Sequence, residues 1–550
     1  MDRRLLVLAL AMFALSSDFI VVAGVLPELG AILVATSMIL SELSVHRNAT
    51  VHQANAPGES SITPGNGNKE SLVGIRSLCF AVIALIGLSV TGCSVGPHYQ
   101  QPVVKLQPYV NAPAIASQSN LSPPPPLDAW WTGFADPQLT RIVERALAQN
   151  VDLAASVARI KQARAVAKEA GAKRTPNFDL EADDLSLRQS LQSPVGRYGQ
   201  LFPGYDRNQS YLDLGVGATW ETDIFGGLKR GAEAGSSEAQ AAEAEHLGTR
   251  VLIAAEAADA YMQVRGAQVR IAFANEQIST DEHLLALVKQ RKDAEVGSDR
   301  ELAQAEAVLA QAKATIPTLN TILNAQLNRL DVLMGAQPGT YSAELRESTD
   351  IPKVPAIATT LDAADLLRRR PDIIAAERRV SASNARIGQA LAEYYPKISL
   401  SALLGSQAIS PGNLFQGIAF QPTAVAGLRW RLFDFGRVDA EVKQARGANA
   451  EALAQYRSSV LKATEDVEDS LSLLAQTGLR SEQLQIQIRS LQRAKDLSEE
   501  SYKAGVIPLT DVLDADRQLL VAKDDLATTR ESTARAAVSS FRALGGGWTP

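Results

Sequence analysis

The sequence predicts a mainly α-helical protein with membrane β-structure: two structural repeats, carrying four β-strands and long coiled-coil helices per chain. Three observations predict it: an internal duplication, four segments of alternating polarity, and two proline-free runs of roughly 70 residues. The duplication is direct. "ALAQNVDLAASVARIKQARAVAKEAGAKRTPNFDLEA" (Ala146 to Ala182) lies over "LLRRRPDIIAAERRVSASNARIGQALAEYYPKISLSA" (Leu366 to Ala402) at an offset of 220, so Leu147 meets Leu367, Asp152 meets Asp372 and Pro176 meets Pro396. Past a loop that is longer in the first copy, "SPVGRYGQLFPGYDRNQS", the offset becomes 210. Trp220, Phe225 and Gly226 then meet Trp430, Phe435 and Gly436, and Ala294 and Val296 meet Ala504 and Val506. Each copy reads helix, strand, loop, strand, very long helix, turn, long helix. The copies occupy residues 136–340 and 341–550.

Ahead of them lies a leader. In residues 71–92, Arg76 gives a positive flank and Leu78 to Leu88 an apolar run of about eleven residues. That is short of the roughly 20 residues a membrane span needs, and it suits the hydrophobic region of a signal peptide. "VTGC", Val90 to Cys93, resembles the lipobox of bacterial lipoproteins, which implies cleavage before Cys93 and acylation of its thiol. Two or three chains, at about 0.8 kcal/mol per buried methylene, make a lasting anchor. The alternative is a buried cysteine that ends an apolar helix. In the same family an aspartate after the cysteine implies inner-membrane retention, so Ser94 points to the outer membrane. Residues 93–135 then form a lipidated N-terminal segment and proline-rich linker. Residues 1–70 resemble the first transmembrane helix of a major facilitator transporter, cut short. They fit a mis-called start or a fused fragment, with a genuine extra anchor as the competing reading.

The strands follow in each copy. "YLDLGVGATWE" sets Leu212, Leu214, Val216, Ala218 and Trp220 on one face and Asp213, Gly215, Gly217, Thr219 and Glu221 on the other. "KISLSALLGSQ" sets Ile398, Leu400, Ala402 and Leu404 against Ser399, Ser401 and Gly405. "VAGLRWRLF" sets Ala426, Leu428, Trp430 and Leu432 against Gly427, Arg429 and Arg431. "NFDLEADDLSL" changes parity after Ala182, where a bulge is expected. About ten residues with one apolar and one polar face fit a membrane barrel strand, lipid outside and water inside. A soluble sheet with one wet face gives the same pattern. Four strands are too few to close a barrel, and lipid does not tolerate open edges, so closure demands partners. Three chains would supply twelve strands.

The long helices run from Gly227 to about Val296 and from Arg437 to about Gly505, on the order of 100 Å each at 1.5 Å per residue. Val467, Leu471 and Leu474, then Leu484, Ile488 and Leu491, recur at coiled-coil spacing. Each helix turns at "AEVGSDRE" or "KAGVIPLTD" and returns as a helix of about 35 residues.

Composition narrows the function. A net charge of −6 and a pI near 5.6 leave no basic face for nucleic acid. Cys79 and Cys93 are the two cysteines, and no metal-ligand spacing, phosphate loop or nucleophile elbow occurs. No enzyme and no cofactor is expected, apart from the covalent lipid on Cys93.

Together these features resemble the TolC-like outer-membrane efflux factors, in the lipoprotein branch often labelled NodT. "CSVGPHYQQP" resembles that branch's start, "PPPPLDAWWTGFADPQLTRIVERALAQN" its entry into the first helix, "LLRRRPDIIAAERRVSASNARIGQALAEYYPKISLS" its signature and "RALGGGW" its terminus. The resemblance runs from Cys93 to about Trp548. It implies a homotrimer with a 12-stranded outer-membrane β-barrel and a periplasmic α-barrel. It also implies a periplasmic adaptor and an inner-membrane pump of the RND or major facilitator type as partners, for export of drugs or other small toxic compounds.

The resemblance places a periplasmic gate at the two helix turns. Asp511 and Asp514 match aspartates that form acidic rings, and their i, i+3 spacing puts both on one helix face. Six carboxylates around a threefold axis would attract cations. The plainer reading is a pair of acids favouring a helix N-terminus. Tyr502 matches a tyrosine that ties neighbouring helix pairs, and Glu301 stands where the family often has an aspartate partner. Ile507 departs from the arginine of the family's prototype, which shifts closure toward packing or Lys503. Two other readings share the sequence: a duct for type I protein secretion, and a periplasmic coiled-coil scaffold lipoprotein without a pore. The four alternating strands speak against the scaffold.

Overall fold

The computed structural model describes residues 94–549 except 105, 114, 116–123, 348 and 358–368. The expected extension over residues 1–70, the signal over 71–92 and Cys93 lie outside the described residues.

The chain runs twice through one pattern. In the first copy, α1 (Pro137–Gln149) and α2 (Val151–Ala172) lead to β1 (Asn177–Arg188) and β2 (Asn208–Thr222), then to α3 (Gly227–Asp293) and α4 (Asp299–Leu333). In the second, α5 (Pro371–Ala392) leads to β3 (Lys397–Ala408) and β4 (Thr423–Arg429), then to α6 (Arg437–Lys503) and α7 (Leu509–Ala543). The extra residues of the first loop carry a short helical turn, Pro194–Gly199. Helices α3 and α6 are both 67 residues long, and α4 and α7 both 35. At 1.5 Å per residue the longer pair reaches about 100 Å. No helix among the described residues is long and apolar enough to cross a membrane.

The long helices start alike. Gly226 (φ 76°) and Gly436 (φ 83°) adopt the left-handed conformation that L side chains resist. An aspartate just before each glycine accepts from the first free amides: Asp223 from Leu228 N (2.9 Å) and Lys229 N (2.6 Å), Asp434 from Gly436 N (3.1 Å) and Val438 N (2.8 Å). A carboxylate there also opposes the positive end of the helix dipole.

The strands form one antiparallel sheet in the order β1-β2-β3-β4, and the central β2–β3 ladder joins the two copies. Register aligns Leu180, Val216 and Leu404 and, four residues along β3, Leu400 and Ala426 on a single face. Phe178, Leu180, Leu404 and Leu428 on that face are each more than 60% exposed, so nothing in this chain covers it. The opposite face presents Asp179, Glu181, Asp183, Asp213, Glu221, Ser399 and Ser401.

Two strand expectations are corrected. β1 has no bulge: its ladder with β2 runs one-to-one from Asn177↔Thr219 to Arg188↔Asn208. The parity change is real, and it simply turns Asp184 and Ser186 onto the apolar side, where Ser186 and Ser210 hydroxyls lie 3.3 Å apart. They sit at the end of β1 far from the helices, where a membrane strand leaves the hydrocarbon. β4 ends at Arg429 rather than running through Phe433. Its partner β3 begins at Lys397, opposite Arg429, so the ladder stops there; the Trp430 indole donates to Tyr394 O (3.0 Å), as that of Trp220 does to Arg174 O (3.0 Å) in the first copy.

The main core lies where α1, the ends of α4 and α7 and the middles of α3 and α6 meet. Trp130 stacks on Phe541 (centroids 5.2 Å, 10° between planes), and Phe134 meets both edge-on. The glycines of "RALGGGW" serve this core. Gly545 (φ 71°) ends α7, and a Cβ on Gly546 would fall 2.8 Å from Trp130 Cδ1. Gly547 N then donates to Leu127 O (2.7 Å). In the signature segment, Arg370 bridges Asp372 (2.8 Å) and Asp466 (2.9 Å), fixing α5 against α6. Replacing Trp130 with alanine removes a fully buried indole, and a loss of about 3–5 kcal/mol is expected. Denaturant unfolding of the detergent-solubilised protein, followed by its helical signal, measures it.

Candidate functional site

The two interhelical turns lie about 100 Å along the rods from the sheet. They are built alike. Val296 N donates to Arg291 O (3.0 Å) and Val506 N to Ser501 O (2.9 Å), closing each helix end, and Val296 and Val506 are left exposed. The copies differ at one backbone position: Gly505 (φ 76°) takes the left-handed conformation with ease, whereas its counterpart Glu295 (φ 60°) takes it with a side chain. Behind the turns, Val288, Ala305, Tyr502, Leu509 and Val512 form a small core of their own.

Tyr502 is buried in that core, and the Arg291 guanidinium lies over its ring at 4.4 Å. Arg291 also donates to Tyr502 O (2.9 Å). Tyr502 thus joins α6 to α3 by its ring and its backbone. Its hydroxyl is buried with no hydrogen-bond partner among the described residues. Burial, with Arg291 opposing, raises its pKa. Glu301 caps α4: its carboxylate accepts from Ser298 N (3.0 Å), and Glu301 N donates to Ser298 Oγ (3.2 Å).

Asp511 and Asp514 are exposed on the first turns of α7. Thr510 Oγ1 donates to Asp511 Oδ1 (3.4 Å). Asp514 accepts from Arg517 (2.5 Å) and Gln518 (2.6 Å), so part of the expected negative charge is already balanced within the chain. Ile507 is half-buried against the small core, and Lys503 is exposed. The structure therefore puts Tyr502 and Ile507 in one packed cluster, with Glu301, Asp511 and Asp514 at helix starts around it.

Sequence reading missed Arg291, whose counterpart in the second copy is Ser501. Its one signal was a cation in the last turn of α3, opposite the aromatic in the last turn of α6. It also missed Arg517, three residues past Asp514 on the same helix face.

The family model for the outer membrane efflux protein matches residues 142–336 and 363–546. The chain belongs to that family. Among curated relatives, the pyoverdine export outer membrane protein OpmQ of Pseudomonas putida is 30% identical over 423 residues, covering 77% of this chain and 89% of that one. Nodulation protein T of Rhizobium leguminosarum bv. trifolii is 29% identical over 468 residues, covering 84% and 96%. Among solved structures, the outer-membrane channel OprN superposes with a TM-score of 0.75 at 32% identity, over 83% of this chain and 100% of that one. As an outer membrane efflux protein, the chain is a channel component with a TolC-like fold, in a family of ducts rather than enzymes.

Two substitutions test the turns. Tyr502→Phe should leave stability and conductance nearly unchanged, because the hydroxyl has no partner, whereas Arg291→Ala should loosen the tip and shorten closed intervals in bilayer recordings. Glu295→Gly should stabilise the protein by about 1 kcal/mol in denaturant unfolding, by relieving the left-handed side chain.

Proposed function

We propose that this outer membrane efflux protein is the passive exit duct of a tripartite efflux system, assembled as a homotrimer. The observation that carries the reading is the four-stranded sheet with an apolar face that its own chain leaves bare and with unpaired edges on β1 and β4. Lipid offers those edges no hydrogen-bond partners, so copies must pair edge to edge. Three copies give twelve strands, with the acidic face toward the bore. The α3–α4 and α6–α7 hairpins then continue the wall into the periplasm. Exposed Val296 and Val506 offer apolar contact at the tips to a periplasmic adaptor. The adaptor couples the duct to an inner-membrane pump of the RND or major facilitator type, and cargo is drugs or other small toxic compounds.

Asp511 and Asp514 form the constriction, held by the Tyr502 and Ile507 packing and shaped by the Glu301 cap. Closure in this reading rests on that packing, which fits the burial of Ile507 where the family's prototype has a charge. Acylation at Cys93 anchors the chain. What supports the anchor is the neighbouring segment. Val95 N donates to Phe225 O (3.1 Å), Arg230 donates to Val95 O (3.2 Å) and Gly96 O (3.3 Å), and Gly96 packs on Gly388. That ties the start of the mature chain to the junction of sheet and helices, at the depth of the inner leaflet.

In bilayers, replacing Asp511 and Asp514 together with alanine should raise single-channel conductance and weaken block by divalent cations; unchanged values for both would remove the gate assignment. Cys93→Ser should abolish labelling by radioactive palmitate and keep the heat-modifiable trimer on gels. A species that migrates as a monomer whether heated or not would overturn the duct itself.

A further inference from the structure

Helices α3 and α7 hold the two hairpins together, and polar pairs line their contact: Asp259 with Arg535 (2.7 Å), Arg270 with Asp524 (2.6 Å) and Glu276 with Lys523 (3.1 Å). Closer to the tip the pattern changes. Asp281 of α3 and Asp516 of α7 are buried together, 2% and 3% exposed, with Lys495 of α6 at 9%. Lys495 Nζ lies 2.6 Å from Asp516 Oδ1, and Glu499 is a more distant second partner at 3.8 Å. Gln277 donates to Asp281 Oδ1 (2.8 Å) and also to Asp516 Oδ2. Asp281 Oδ2 is buried with no hydrogen-bond partner among the described residues. From α4, Lys313 is committed to Glu282 (2.8 Å), the residue beside Asp281. Two buried carboxylates therefore share one amide donor, Gln277; the ammonium pairs with Asp516, and one oxygen of Asp281 has nothing to bond among the described residues.

We infer that Asp281 and Asp516, set between Gln277 and Lys495, form a proton-operated latch that joins the two helical hairpins more firmly in mildly acidic surroundings. The inference rests on the exit-duct reading for its consequence, a mouth that stays shut longer at low pH. The chemistry is local. A proton on Asp281 cancels the like charge beside Asp516 and turns the unpartnered oxygen into a hydroxyl donor within the pair. The latch lies roughly 10–18 Å along the helices from their turns, so separating the hairpins there frees the tip.

The sign follows from where the proton is held. Burial, and then the Asp516 charge, push the Asp281 carboxyl up to about 6, against the opposing effects of Gln277 and Lys495. With the hairpins apart and the carboxyl hydrated, it returns toward its ordinary 3.8. The packed arrangement then binds the proton more tightly, so it is favoured as pH falls through 6 and loses that advantage as pH rises through it. Between pH 7.5 and 5.0 the shift is roughly tenfold in the ratio of closed to open.

The full-length acylated protein is recorded in planar bilayers at those two pH values. The closed-to-open ratio of the wild type should rise roughly tenfold on acidification. Asp281→Asn, a permanent amide donor toward Asp516, should give the acid-like ratio at both pH values. A variant that keeps the wild-type pH response refutes the latch. Infrared difference spectra of wild type against Asp281→Asn should show a protonated carboxyl band with a midpoint near pH 6, and a midpoint near 4 refutes it equally. A preparation that conducts at no pH refutes the exit-duct reading instead, and the infrared midpoint still decides the fate of the carboxyl pair.

Discussion

A peptide group in hydrocarbon must find its hydrogen-bond partner within protein, and that requirement governs this molecule. Four strands satisfy their inner edges and leave two outer ones bare. The chain is consequently incomplete as a membrane structure. The duplication sharpens the point. Each copy contributes only a hairpin, and the β2–β3 ladder that unites the copies runs over eleven residue pairs, from Leu212↔Ala408 to Thr222↔Ile398. Neither half owns a sheet of useful width.

The same economy shapes the rods. Two 67-residue helices would be unstable alone in water, since so much of their surface is polar and their apolar positions form only a narrow stripe. They gain order from return helices packed alongside and from a dense core at mid-length, where Trp130, Phe541 and Tyr261 are fully buried. Tyr261 donates to Asp136 Oδ2 (2.6 Å), and the buried Arg265 donates to Tyr261 Oη (3.0 Å) and Glu347 O (2.7 Å), so the charged guanidinium in that core is paired. Toward the tip the packing thins to the small cluster around Tyr502. Rigidity at the middle and looseness at the end is the distribution a movable mouth requires.

Much of this was legible from residue order. Absence of proline and the spacing of Val467, Leu471 and Leu474 gave the rods to within a few residues at each end, because helix length depends on local chemistry. Alternation gave β2 and β3. It overran β4, because Trp430 continues the alternating pattern although the partner strand begins only at Lys397, opposite Arg429, a limit set by the fold. It also raised a bulge in β1 where the strand merely leaves the apolar zone. At the tip, Glu301, Asp511 and Asp514 were picked out by resemblance to the family's gate, and for the two aspartates a place at a helix start was the plainer reading. The Arg291–Tyr502 contact and the Asp281–Asp516–Lys495 cluster join residues more than 200 apart in the chain across two or three helices, and no periodicity encodes that.

The wet side of the sheet has a further consequence. Asp179, Glu181 and Asp183 on β1 face Gly217, Gly215 and Asp213 on β2, so bulky acids stand over nearly naked backbone, while the cations of the same face, Lys397 and Arg429, pair across β3 and β4. A wall of this kind, in a trimer assembled as proposed, gathers dissolved cations along the β1–β2 acids, and salt screens that pull within about 8 Å at physiological ionic strength.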